Sequence, residues 1–104
     1  MEQSTKQRID DLLTSKKTFL FMKGSPAFPQ CGFSARAVAI LKELGIEFAS
    51  FDVLEDEEIR HGIKEYGNWP TIPQLYHNKE LLGGSDIMME MYETGELKSV
   101  LANE

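Results

Sequence analysis

The sequence predicts an α/β domain, a mixed four-stranded sheet with helices on both faces. Three observations predict it. The short apolar run Phe19-Leu20-Phe21-Met22 reads as a buried strand. A helical pattern follows, and then a second strand candidate. A strand–helix–strand unit of this length implies parallel pairing through a right-handed crossover. Two short strand candidates around the turn His77-Asn78-Lys79 add an antiparallel hairpin.

The elements follow in order. Ser4 to Ser15 reads as a first helix, with Ile9, Leu12 and Leu13 on a narrow apolar face. Thr18 to Lys23 is the first strand. The chain must then turn at Gly24, Pro26 and Pro29. Gly32 to Leu44 is a second helix, with Ala37, Ile40, Leu41 and Leu44 at spacings of three and four, and Gly45 ends it. Ile46 to Asp52 is a second strand, and Phe48, Phe51 and Val53 suit it. Asp56 to Tyr66 is a third helix, with Ile59, Ile63 and Tyr66 inward and Gly67 closing it. Prolines keep Asn68-Trp69-Pro70-Thr71-Ile72-Pro73 out of any helix. Gln74-Leu75-Tyr76 and Glu80-Leu81-Leu82 form the hairpin. Gly83-Gly84 opens a helix from Ser85 to Tyr92, with Ile87, Met88 and Met91 on its buried side, and Gly95 precedes a last one from Glu96 to Leu101.

At 104 residues the chain makes one domain, 1–104, with no repeat, linker or low-complexity segment. No apolar run approaches the roughly 20 residues of a membrane span. The polar stretch Met1–Lys17 lacks a secretory apolar core. A net charge of −6 without a basic cluster argues against nucleic acid as a partner. The acidic run Glu55-Asp56-Glu57-Glu58 reads as the first turn of a helix rather than a metal site. A single cysteine cannot close an internal disulfide, which fits a reducing compartment. A bacterial cytoplasm suits such a domain, and a mitochondrial matrix or plastid stroma after processing is the alternative.

That cysteine, Cys31, stands where a Gly/Pro loop meets a helix N-terminus. Unpaired N–H groups and the helix dipole favour negative charge there, so the thiolate is stabilised. Lys23, Arg36 and Arg60 can add positive potential. Cysteine as plain packing is the competing reading. Cys31-Gly32-Phe33-Ser34 has the form of a Cys-x-x-Cys redox motif whose second cysteine is replaced by serine. Ser34 cannot resolve a mixed disulfide, so release would need a second thiol from outside, such as glutathione.

Lys23-Gly24-Ser25-Pro26, Cys31-Gly32-Phe33-Ser34, Trp69-Pro70-Thr71-Ile72-Pro73-Gln74 and Gly83-Gly84-Ser85-Asp86 together resemble the monothiol glutaredoxins of the Cys-Gly-Phe-Ser class. The likeness runs from the first strand to the last helix. It implies the thioredoxin fold and a [2Fe–2S] cluster liganded by Cys31 and glutathione, shared by two protomers. It also implies delivery of that cluster to acceptor proteins in iron–sulfur biogenesis and iron homeostasis, with BolA-type proteins as partners and only weak glutathione-dependent oxidoreductase activity. Glutathione-dependent thiol transfer, with Cys31 as the catalytic nucleophile, is the alternative.

The ligand arithmetic agrees with the resemblance. A [2Fe–2S] cluster takes four ligands, usually thiolates. Two chains supply two, and two glutathione thiols complete the set. By resemblance, Lys23 and Arg60 meet the glycyl carboxylate of glutathione, and the backbone of Ile72 meets its cysteinyl part beside Thr71 and a cis Pro73. Ser85, Gly84 and Asp86 hold the γ-glutamyl end, while Phe33 shields the cluster or the tripeptide. Asp86 also has a plainer role as a helix N-terminal acid, and Lys64 is divided between the glycyl carboxylate and a solvated face. Trp69 reads as a packing aromatic, His61 and His77 as exposed, and Met88, Met89 and Met91 as helix core and surface. Many members of the class carry cysteine where this chain has Ser85; its absence leaves no internal disulfide and favours cluster carriage.

Overall fold

The structure is a computed structural model that describes residues 1–102; the last two residues of the predicted domain bounds lie outside the described ones. Its elements are α1 (Gln3–Ser15), β1 (Thr18–Met22), α2 (Gly32–Glu43), β2 (Ala49–Asp52), a 3-10 turn (Val53–Glu55), α3 (Glu57–Tyr66), β3 (Gln74–His77), β4 (Glu80–Gly83), α4 (Ser85–Thr94) and α5 (Glu96–Ala102). The sheet order is β2-β1-β3-β4. β1 runs parallel to β2 and antiparallel to β3, and β3 and β4 form the hairpin. The mixed sheet and its helices match the expected fold class.

β1 is central, with all five residues buried, which explains its unbroken apolar run. Successive side chains point to opposite faces. Leu20 and Met22 enter a core with Val38, Leu41, Met88 and Leu97 from α2, α4 and α5. Phe19 and Phe21 enter a second core with Ile9, Leu13, Ile59 and Ile63 from α1 and α3. Helices therefore cover both faces.

Most boundaries agree with the sequence reading to within one or two residues, and the larger differences have physical reasons. β2 starts at Ala49, so Ile46 and Phe48 pack against the core without joining the ladder. The 3-10 turn intervenes before α3, organised by Asp52 Oδ1, which accepts from Leu54 N–H at 2.9 Å. His77 corrects an expectation of exposure. It belongs to β3 opposite Thr18, is buried, and its Nδ1 lies 2.9 Å from Thr18 Oγ1.

The register gathers the predicted motifs at one end of the sheet. Phe21 pairs with Gln74, which sets Ile72 and Pro73 beside the end of β1. Leu75 pairs with Gly83, so Gly84 and Ser85 emerge at the same end.

Candidate functional site

At that end, β1 passes into a closed loop. Gly24 adopts φ +86, a conformation L side chains rarely take, and a Cβ there would lie 2.5 Å from the Phe28 carbonyl oxygen. Gln30 N–H donates to Lys23 O at 2.9 Å, Phe28 N–H to Ser25 O at 3.0 Å, and Gly24 N–H to Asp52 Oδ1 at 2.9 Å. The prolines and glycine that punctuate the sequence thus build a pinned turn, from which Phe28 projects 75% exposed.

Cys31 ends the loop as the N-cap of α2, with extended backbone at φ −157 and ψ 155. Its Sγ accepts from Ser34 N–H at 3.3 Å and lies 3.3 Å from Ser34 Oγ. Ser34 is fully buried, and its Oγ accepts from Lys23 N–H at 3.0 Å. With that N–H on the oxygen, the hydroxyl proton is free to point at sulfur. Burial pushes the Cys31 thiol up, but the hydrogen bonds from Ser34 and the Phe33 N–H, together with the Lys23 charge, outweigh it and hold the thiol below its ordinary value. The residue that replaces the second cysteine therefore stabilises the thiolate of the first.

Beside this cap lies a cleft of about 160 Å³ lined by Phe33, Trp69, Thr71, Ile72, Pro73, Gly84, Ser85, Asp86 and Ile87. Seven of the predicted site residues meet there: Phe33, Thr71, Ile72, Pro73, Gly84, Ser85 and Asp86. The Ile72–Pro73 peptide bond is cis, as the resemblance implied. Phe33 is 57% exposed at the rim, whereas Ser85 is buried. Gly84 is the N-cap of α4 and offers no side-chain cap, so the first N–H groups of that helix remain available to an anion.

Cys31 and Lys23 stand beside the cleft rather than in its lining, joined through Ser34. Arg60 is also outside the lining; it lies on α3 with Nη1 3.8 Å from Glu57 Oε1. Trp69 and Ile87 line the cleft although the sequence reading gave both to packing. The position of Trp69 inside the Trp-Pro-Thr-Ile-Pro run was the signal that could have placed it. Among the described residues no three His, Cys, Asp or Glu side chains group as metal ligands.

Residues 18–82 match the glutaredoxin family. The chain belongs to that family. A monothiol glutaredoxin of the cyanobacterium Synechocystis, described as ycf64-like and uncharacterized, is 59% identical over 97% of this chain and 94% of its own length. Monothiol glutaredoxin-S11 of rice is 50% identical over 97% of this chain, which spans only 21% of that longer protein. The solution structure of reduced poplar apo GrxS14 superposes with a TM-score of 0.83 at 50% identity, covering 93% of this chain and 89% of that one. Within the family the chain is a monothiol glutaredoxin of the Cys-Gly-Phe-Ser class, with the thioredoxin fold. No helix among the described residues is long and apolar enough to cross a membrane.

Proposed function

We propose that this glutaredoxin binds glutathione in the cleft between α2 and α4 and, as a homodimer, carries a glutathione-liganded [2Fe–2S] cluster to acceptor proteins. The single observation that carries the reading is Cys31. It is the single cysteine thiol, half-buried at a helix N-terminus and held below its ordinary pKa by hydrogen bonds from Ser34, with a hydroxyl where a resolving thiol would stand. Four thiolates around two irons then require two chains and two small-molecule thiols.

Glutathione suits the cleft chemically. Its γ-glutamyl carboxylate matches the uncapped start of α4, and Asp86 at the mouth matches its ammonium. Its cysteinyl part would lie along Ile72, which brings its sulfur toward Cys31. Lys23 and Arg60 supply the cations for the glycyl carboxylate. A cargo half-held by exchangeable thiols can be passed on. BolA-type proteins and iron–sulfur acceptors are the partners this reading assigns, in a reducing compartment such as a bacterial cytoplasm. The lowered Cys31 thiol also favours a second reading, thiol transfer from glutathione mixed disulfides, in which the Cys31 thiolate attacks and an outside thiol releases the product.

Anaerobic reconstitution with iron and sulfide separates the two. The carrier reading expects a [2Fe–2S] visible spectrum that forms with glutathione and fails without it. A colourless protein that turns over glutathione mixed disulfides briskly would overturn it.

A further inference from the structure

One polar group in the cleft has no assigned use. Trp69 is the sole tryptophan of the chain. Its backbone is pinned: the N–H donates to Lys64 O at 2.9 Å and the carbonyl accepts from Gln74 Nε2 at 3.0 Å. Its indole Nε1–H, by contrast, is buried without an acceptor among the described residues. Buried donors are almost always paired, so an orphan calls for an explanation.

Its surroundings supply one. A Cβ built on Gly84 would lie 3.3 Å from Trp69 Nε1, 3.3 Å from Pro73 O and 3.9 Å from Thr71 Oγ1. Glycine at 84 therefore leaves open the space into which the indole donor could reach. The same residue is the N-cap of the ten-residue α4 and gives that helix no side-chain partner. Indole N–H and first-turn amides thus converge as unclaimed donors on one corner of the cleft, a set that fits a carboxylate.

We propose that the Trp69 indole N–H is a ligand-binding donor, directed to the α-carboxylate of the γ-glutamyl residue of glutathione alongside the first amides of α4. The proposal rests on the reading of the cleft as a glutathione site and adds a residue to it. Because Nε1 is covered, engagement requires the ring to shift, and binding acquires an optical signal from a single fluorophore.

The test titrates reduced glutathione into the full chain, followed by calorimetry and by tryptophan emission. Emission should change saturably with the calorimetric Kd. Trp69→Phe keeps a ring but loses the donor, and should bind about tenfold more weakly, the scale of one hydrogen bond to a charged acceptor. With 4-aminobutyryl-cysteinylglycine, which lacks only the α-carboxylate, wild type and variant should bind alike. Emission unmoved at calorimetric saturation would overturn the proposal while leaving the glutathione site standing. So would a Trp69→Phe affinity within twofold of wild type, or a penalty that persists with the truncated ligand. No calorimetric binding by wild type would remove both. The emission titration needs no variant, so it decides even if Trp69→Phe does not fold.

Discussion

The first turns of α3 and α4 differ in where their partners come from. At α3 the chain closes its own helix end. Asp56 Oδ1 accepts from Ile59 N–H at 3.0 Å, and Arg8 Nη2 from α1 holds the other carboxylate oxygen at 2.6 Å. At α4 the cap is Gly84, with no side chain to offer and beside it an indole donor that has no acceptor among the described residues. α2 lies between these cases, since its cap is the Cys31 sulfur, which accepts from Ser34 N–H. An end satisfied from within contributes to stability, whereas an end left open is available for binding. Both helix starts lie at the end of the sheet where β1, β2 and β4 finish, yet they divide those tasks, and substitutions can separate them.

Cys31→Ser should have the largest effect, abolishing cluster assembly while circular dichroism and thermal unfolding remain those of a folded domain. Cluster at normal stoichiometry in that variant would remove the ligand assignment. Next come Lys23→Ala and Arg60→Ala. Both cations are partly solvent-exposed, so each should weaken glutathione-dependent assembly only about threefold to fivefold. Unchanged assembly in both would mean that the glycyl carboxylate binds elsewhere.

Asp56→Ala probes the closed end. Loss of this cap should cost about 1 kcal/mol, or roughly 4–8 °C in Tm, as read by thermal unfolding. Glutathione affinity should not follow. The hydrogen bond from Arg8, aided by that from Ile59 N–H, holds the Asp56 carboxyl below its ordinary value. Its contribution is therefore complete above the unfolded carboxylate range and is lost as pH falls through the lowered value. The gap between wild type and Asp56→Ala should close in acid, and a gap that widened there would contradict the assignment.

The smallest effect concerns Ser34. Removal of its hydroxyl should raise the pH midpoint of Cys31 alkylation, because a donor to the thiolate is lost. An unmoved midpoint in Ser34→Ala would assign the lowering to the backbone amides and Lys23 instead.

Much of this division was legible in the sequence. The apolar run Phe19–Met22, the glycines after α2 and α3, and the Gly-Gly pair before α4 fix elements through local chemistry, and local chemistry can be read residue by residue. Cys31 at a helix start followed from the same logic, as did the acid-rich entry to α3. What escaped the reading depends on register. His77 is buried because β3 pairs it with Thr18, a partner 59 positions away. The Trp69 indole lies on the cleft because the β1–β3 and β3–β4 pairings bring the Trp-Pro-Thr-Ile-Pro run against Gly84. Seven site residues could be named from motifs, but their convergence in one cleft, with Arg60 outside its lining, is a consequence of the sheet.

The central claim is that one thiolate per chain is completed by a second chain and two glutathiones. Native mass spectrometry of the anaerobically reconstituted protein tests it most directly. The account predicts a species of two chains, one [2Fe–2S] cluster and two glutathiones, which collapses to colourless protein when glutathione is removed. A cluster retained on a single chain, or on a dimer that holds no glutathione, would contradict it.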